Sequence, residues 1–496
     1  MQNLHRPESR VTGVMQAMSG NSGQRSGSSK RKRDLDELLK RAIDQDDIYI
    51  ALALHPVMDA AGRNELESVL FATRKRRRQL SSAPFTPASV LARMARLAAD
   101  TNFKARLARH PATPLETLRE LVSDNDSEPL AAIAAHGNAT ADLLAGLKWR
   151  GSAAVQKALC GNPNTGREIL AEIVAEGPLE LLKEIAKHPN ADAIMLRDLR
   201  ARGDRYLRGE VAANKHCPAD IQEMAEKDEE ALVRRMLASN PAAQIERLVR
   251  LLNDPAPQVR AASVRNLLLP PEEVGKLSDD PSRQVRRSGA QRAGLTTTLI
   301  EHLSTDEDHW VRRRVARNRT TPEDILRRLA VNDTAEVRRA VARNPACPVG
   351  LLQKLARDPN SWVRAGVAFR DDLSEPILLE LAEENDADIL TGIGQNPMTP
   401  LRIVKRIAEH SDKDIRRSVI LNNQAPLVVL KMLLDDPYPL NRVILARHPA
   451  LTEAEHNRLI DDPEPQVRFT ATQMLVRISF EMISAESSNM KSKRAE

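Results

Sequence analysis

The sequence predicts an all-α, right-handed α-solenoid, a superhelix of about fourteen to sixteen two-helix repeats, and three observations carry that expectation. A theme of 26 residues recurs fourteen times between Leu107 and Leu459 without insertion or deletion, anchored at Leu107, Ile133, Leu159, Ile185, Val211, Leu237, Ser263, Gly289, Val315, Val341, Val367, Ile393, Val419 and Leu445. VARNRTTPEDILRRLAVND (315–333), VARNPACPVGLLQKLARDP (341–359) and IGQNPMTPLRIVKRIAEHS (393–411) show it. The aromatic share is only 2%, so a core must come from Leu, Ile, Val and Ala on closely packed helices. Finally, each unit carries start and stop signals for two short helices.

In chain order, residues 1–33 are rich in Ser, Gly, Gln and Asn and end in Lys30-Arg31-Lys32-Arg33, which predicts a disordered arm. Residues 34–79 read as a helical N-terminal cap and include LALHP, a decayed repeat at Leu52. Solenoids need such a cap over the first apolar face. The repeats run over 80–480, opening with an imperfect unit near Leu80, and the polar residues 481–496 read as a disordered tail.

Within a unit, Thr321-Pro322-Glu323-Asp324 predicts a helix start with a Thr cap, Pro at the first helical position and acids in the first turn. Ile325, Leu326 and Leu329 share one face of that first helix. The Leu329 slot is Leu or Ile in thirteen of fourteen units, Ala225 being the exception, which marks an axial core position. An Asp, often Asp-Pro as in Asp358-Pro359, closes the first helix and starts a shorter second one carrying Val337 and Val341, and Asn344-Pro345 ends it. Two helices in 26 residues is tight, so one is expected to be partly 3₁₀.

These units resemble the leucine-rich repeat variant family and, more distantly, HEAT repeats, on the pattern VARNPxTP…LLxxLAxDP over roughly 80–480. The resemblance implies a solenoid of alternating α and 3₁₀ helices. Family members with an N-terminal iron–sulfur module carry clustered cysteines there; this chain has none before Cys160, so that module does not transfer.

The 74 Lys and Arg against 68 Asp and Glu leave the chain mildly basic, so any anion-binding argument must rest on local distribution. Cys160, Cys217 and Cys347 form no ligand spacing and suit a reducing compartment. No apolar signal segment or membrane-length run occurs, which predicts a soluble, cytoplasmic protein with no membrane partner. The basic tracts at 30–33 and 74–78 resemble nuclear import signals, and the Ser-rich start resembles that of a secreted effector.

Arginines recur three residues before the anchor, at Arg208, Arg234, Arg260, Arg286, Arg312, Arg338, Arg364, Arg416, Arg442 and Arg468, broken by Leu390. At the ~10 Å spacing of packed helices such a row could track a polyanion. The competing reading is structural, because Asp lies six residues earlier in several units (Asp254, Asp280, Asp306, Asp358, Asp436, Asp462) and HEAT-like arrays use such pairs as an internal ladder.

Arginines outside that slot are the better ligand candidates. Positions two before and two after the anchor share a face of the second helix, and there stand Arg287, Arg313, Arg317, Arg339 and Arg343, extended by Arg265, Arg235 and Arg417. Residues 283–343 hold fourteen basic and eight acidic residues, an excess of six that equals that of the whole chain. Trp310 and Trp362, near these arginines, are candidate stacking platforms. The slot three after the anchor is Asn or His in twelve of fourteen units (His110, His136, His188 and His448 among them), which reads as turn capping rather than metal binding.

No phosphate-binding loop, dinucleotide fingerprint, HExxH or GxSxG occurs, so no cofactor, metal or small-molecule substrate is expected. The sequence thus points to a non-catalytic scaffold with a partly basic surface for an anionic macromolecule, nucleic acid or an acidic protein segment. A protein-interaction scaffold or secreted effector without nucleic-acid binding stands beside it. The HEAT-like resemblance adds a third class, a DNA alkyl-base glycosylase, for which Trp310, Asp308 and Trp362 would be the suspects.

Overall fold

The computed structural model of the chain describes residues 27–122, 126–147, 152–331 and 333–492; of helix residues before 34 and after 478 only the backbone is described. The described residues are helical throughout and contain no strand. Each unit is a helix pair, as in Glu323–Val331 followed by Ala335–Ala342, then Val349–Leu355 followed by Ser361–Ala368. Both helices are α-helical, in contrast to the expected 3₁₀ member. Tightening to i→i+3 bonds is confined to helix ends, such as Val337 N–H to Thr334 O (3.0 Å) and Asn344 N–H to Val341 O (3.0 Å).

The caps explain why pairs form. Pro114, Pro218, Pro348 and Pro400 sit at the N-cap of the first helix, in extended backbone, rather than at its first turn. The preceding Thr does not cap either: the Thr321 hydroxyl donates to the anchor carbonyl of Val315 (2.6 Å), and Thr113, Thr165 and Thr399 do the same at 2.6, 2.7 and 2.7 Å. The Thr thus ties the turn to the helix before it. Cys217 and Cys347 fill this slot, and burial pushes their thiols up to about 12 and about 11. Asp308, Asp386 and Asp412 cap second helices, each accepting the N–H two residues on.

The anchors form the deepest layer: Val315, Val341, Val367 and Ile393 have no exposed surface, and neither does Ser263, whose hydroxyl donates to Leu248 O (3.2 Å). The Leu329 slot packs beside them and is buried in every unit except at Ile173 and Leu277.

Two polar ladders join successive units. Asn344 donates from Nδ2 to Ala316 O and Asn318 O, both 2.8 Å away in the preceding unit, and its Oδ1 accepts the Ala346 N–H at 2.8 Å. Asn162, Asn214, Asn240 and Asn266 repeat the pattern. Histidine imitates it: His188 Nε2 meets Asn162 O (2.7 Å) while Nδ1 accepts the Asn190 N–H (3.1 Å). That arrangement requires the neutral ring protonated on Nε2. Where the slot is neither, arginine does the work: Arg292 donates to Asn266 O (2.8 Å), and Arg370 donates to Asn344 O. What the sequence presents as turn capping is therefore also the seam between repeats.

The second ladder uses the arginines before the anchor. Arg260 makes a fork to the Asp280 carboxylate of the next unit (2.7 and 2.9 Å) while its third nitrogen donates to the backbone carbonyl of Asp254 (2.8 Å), six residues earlier. Arg286 to Asp306, Arg312 to Asp333, Arg338 to Asp358 and Arg364 to Glu384 repeat it at 2.5 to 3.2 Å. Asp280 also accepts the N–H two residues on, from Ser282 (2.8 Å), as Asp306 and Asp358 do from Asp308 and Asn360, while Asp333 accepts that of Thr334; one carboxylate thus shapes its own turn and receives its neighbour.

The chain divides into two compact units, residues 78–430 and a second made of 1–77 with 431–496. The second departs from the expected limits. Helix Gly27–Asp44 begins within the stretch expected as an arm, and helices Gly27–Asp44 and Ile48–Leu54 pack against the last helix, Pro465–Ser492. Residues 1–26 and 493–496 lie outside the described residues. Asp47 explains the docking: its carboxylate caps helix Ile48–Leu54 and takes the Arg468 guanidinium, as Asp462 takes Arg442 (2.6 Å). LALHP is thus the next rung after the final unit, and His55 stands in its Asn/His slot.

Two outcomes follow. Arg286 and Asp306 are 9% and 6% exposed, so Arg286→Ala strands a buried carboxylate and lowers stability by roughly 3 kcal/mol in urea unfolding. Acid acts in two stages. Burial holds His55 down at about 4 and also lowers His188, so each is neutral when folded and takes a proton readily only when unfolded. Stability is therefore expected to fall as pH drops from 6.5 towards 4, by about 3 kcal/mol for His55. For Asp228, Asp280 and Asp358 burial alone would raise the pKa, but the arginine forks and backbone N–H groups outweigh it and hold each below 3.8; their contribution is lost as pH falls below that value. Thermal melts of wild type and His188→Asn between pH 7 and 3 check both, since Asn serves the same seam without titrating.

Candidate anion-binding face

Second helices Pro257–Arg265, Arg283–Ala290, His309–Arg317 and Ala335–Ala342 carry the candidate face on four consecutive units. Residues −2 and +2 about each anchor fall on one side because four residues make about one helical turn, while the ladder arginine at −3 turns to the seam. This division separates the two classes of arginine. Arg260, Arg286, Arg312, Arg338 and Arg364 are tied up in forks, whereas Arg265, Arg313, Arg317, Arg339 and Arg343 make no ion pair among the described residues. Arg287 is intermediate, meeting Asp308 at 2.6 Å.

The unpaired arginines are held in place by other means. Arg265 donates to the Ser288 hydroxyl of the next unit (3.0 Å). Arg313 lies over the Trp310 ring, 5.0 Å from its centroid, Arg339 over Trp362 at 4.4 Å, and Arg343 over Phe369 at 4.9 Å. Arg339 also donates to the Trp362 carbonyl at 2.5 Å. Each aromatic thus fixes the direction of a guanidinium without neutralising it. Both Trp rings remain 38% exposed, with one face given to arginine.

Sequence reasoning missed Arg314. It occupies the slot just before the anchor, which is Ala262, Ser288, Ala340, Gly366, Gly392 or Ser418 in nearby units, so a long cation stands where its neighbours keep small residues. Its guanidinium donates to Gln291 Oε1 of the preceding unit and has no acidic partner among the described residues. Burial, followed by the charges of Arg313, Arg287, Arg317 and Arg265, depresses its pKa. Burial also depresses Arg313 and Arg339, with Arg317 and Arg343 adding to it and the acids Glu336 and Asp388 opposing. Like charges are therefore gathered here against their mutual repulsion. The remaining face candidates lie apart: Arg417 pairs with Asp414 (2.6 Å), and Arg235 lies on the earlier helix Ala231–Ala238.

Asp308 is engaged through both carboxylate oxygens. One oxygen caps its helix at the Trp310 N–H (2.8 Å) and the other holds Arg287. Burial alone would raise its pKa, but those two contacts outweigh burial and keep it below the usual carboxylate range. Among the described residues no three His, Cys, Asp or Glu side chains gather as a metal site, and no helix is long and apolar enough to cross a membrane.

Repeated helix pairs joined by inter-unit ladders define a helical solenoid repeat protein. Residues 335–360, one repeat in length and in register with the other units, match the family model for Leucine rich repeat variant. No curated protein matches the chain. Among solved structures, a leucine-rich repeat variant described as a novel repetitive motif is 26% identical, covering 45% of this chain and 88% of that one at a TM-score of 0.32. An engineered protein is 16% identical over 57% of this chain and 96% of its own, TM-score 0.10. A chain of the Pds5–Scc1 complex is 12% identical over 94% and 88%, TM-score 0.15.

Because Asp308 is the one carboxylate paired into this face, Asp308→Asn keeps a capping oxygen while releasing Arg287. The variant is expected to elute from immobilised heparin at higher salt than wild type, and Arg313→Ala/Arg317→Ala at lower salt.

Proposed function

We propose that the protein is a non-catalytic binding scaffold whose second-helix face over residues 265–343 holds an extended nucleic-acid strand through its phosphates, with little reading of base identity. The observation that carries this reading is the set of arginines on consecutive units that form no ion pair yet are braced by aromatic rings and polar neighbours. A surface whose charges serve only solubility or internal pairing has no need to concentrate like charges at a cost in repulsion. Arginine forks fit phosphate oxygens, and release of condensed counterions supplies the driving force. A repeat array extends such contacts along a strand at ~10 Å per unit.

A second reading, an acidic protein segment with apolar side chains, is favoured by Met398, Leu401, Leu421 and Val428, which are exposed on later units. In that case the arginines steer encounter and the apolar residues supply affinity.

The readings part in a salt titration of a fluorescent single-stranded oligonucleotide. Replacing Arg313, Arg317, Arg339 and Arg343 together by Ala is expected to weaken binding by two orders of magnitude or more at low salt and to reduce the slope of log K against log salt by about 3, at ~0.7 per lost phosphate contact. Unchanged affinity and slope would remove the nucleic-acid reading.

A further inference from the structure

We infer that the arginine face contains one discrete phosphate seat, centred on Arg314 with Arg287, Arg313 and Arg317 around it, where a single phosphate of the bound nucleic-acid strand is gripped. This rests on the nucleic-acid reading above and deepens it: the face is a track with one fixed point.

The geometry differs from that of the remaining face in three respects. In the other units of this face the candidate arginines outside the ladder slot stand only two before or two after the anchor, but the unit of Val315 offers three in one turn and a half, Arg313, Arg314 and Arg317. The extra one, Arg314, reaches towards the preceding unit, where Gln291 orients it. The small residues at its slot in both flanking units, Ser288 and Ala340, add no side-chain bulk there. Finally, the charges of Arg287 in the preceding unit and of Arg265 in the one before that bear on Arg314 together with those of Arg313 and Arg317. Positive charge from three successive units thus converges on one side chain, which no acid neutralises.

That convergence selects the ligand chemistry. A carboxylate is planar and is satisfied by two forks, whereas the oxygens of a phosphate point in several directions and accept from donors on different helices. Arg313 is already turned by Trp310 and Arg287 by Asp308, so their directions are set before binding and little side-chain entropy remains to be lost. An anion entering this cluster offsets the repulsion among its like charges, so occupancy couples to a gain in local electrostatic stability.

The test uses the full chain with a fluorescent thymidine oligonucleotide and, separately, a labelled polyglutamate of matched charge, titrated by anisotropy at several salt concentrations. Arg314→Gln is expected to weaken the oligonucleotide at least tenfold and lower its salt slope by about 0.7, one phosphate contact, while changing polyglutamate binding less than twofold. Arg314→Lys is expected to restore the slope but only part of the affinity, because a point charge replaces a fork. Removing Arg314 relieves repulsion, so a melting temperature at or above wild type shows that the fold persists; the exposed Arg357→Ala serves as control. If Arg314→Gln binds the oligonucleotide like wild type while the quadruple Ala variant loses it, the seat is wrong and the track stands. Equal losses for both polymers overturn the phosphate assignment, and loss with neither variant overturns track and seat together.

Discussion

The fold depends on a seam repeated every 26 residues, at which one side chain of each unit satisfies backbone carbonyls of the unit before it. Short helices leave unpaired carbonyls at their ends, and stacking them buries those groups away from water. Asn meets the need with one amide, giving two hydrogen bonds backwards and taking one forwards. Histidine meets it as the Nε2–H tautomer, and Arg292 and Arg370 with a guanidinium. Three different side-chain solutions would be unnecessary if the slot only ended a helix. The seam forbids a change of register, which is why no unit gains or loses a residue even where Ser263 and Gly289 weaken the apolar anchor.

The Asp–Arg ladder runs beside this seam and fixes which arginines are free. Because the ladder arginine at −3 faces the next unit's carboxylate, the second helices of those units carry additional arginines at positions that face outward. Internal pairing thus consumes one arginine in each unit of the ladder and leaves the remainder at the surface. In the 78–430 unit that remainder is concentrated around the Val315 repeat, and in the other unit the ladder is put to structural use again, with Arg468 receiving Asp47 from the opposite end of the chain.

Much of this was legible in the sequence because a strict period turns every position into a column. The anchor layer, the helix pairs and the division between ladder and face arginines all follow from columns. What was not legible depends on contact between units rather than pattern within one. The Asn/His column shows composition but not that its amide reaches back 26 and 28 residues. Asp280 rather than Asp254 as the carboxylate for Arg260 has the same cause. The docking of residues 48–54 on the last helix spans about 420 positions and has no periodic trace. Arg314 was hidden by its arginine-rich surroundings and by a column that is small in the neighbouring units but holds Arg106, Glu184, Glu210, Met236 and Ile444 elsewhere. The Trp rings, read as open platforms, each carry an arginine, because a planar cation three residues or one unit away fits an aromatic face.

The account is tested most directly by hydrogen exchange on the full chain with and without a single-stranded oligonucleotide. Slowed exchange is expected in second helices 257–265, 283–290, 309–317 and 335–342, strongest at 309–317, with helices such as Ala193–Arg202 unchanged. Protection confined to other repeats, or none at saturating oligonucleotide, would contradict it.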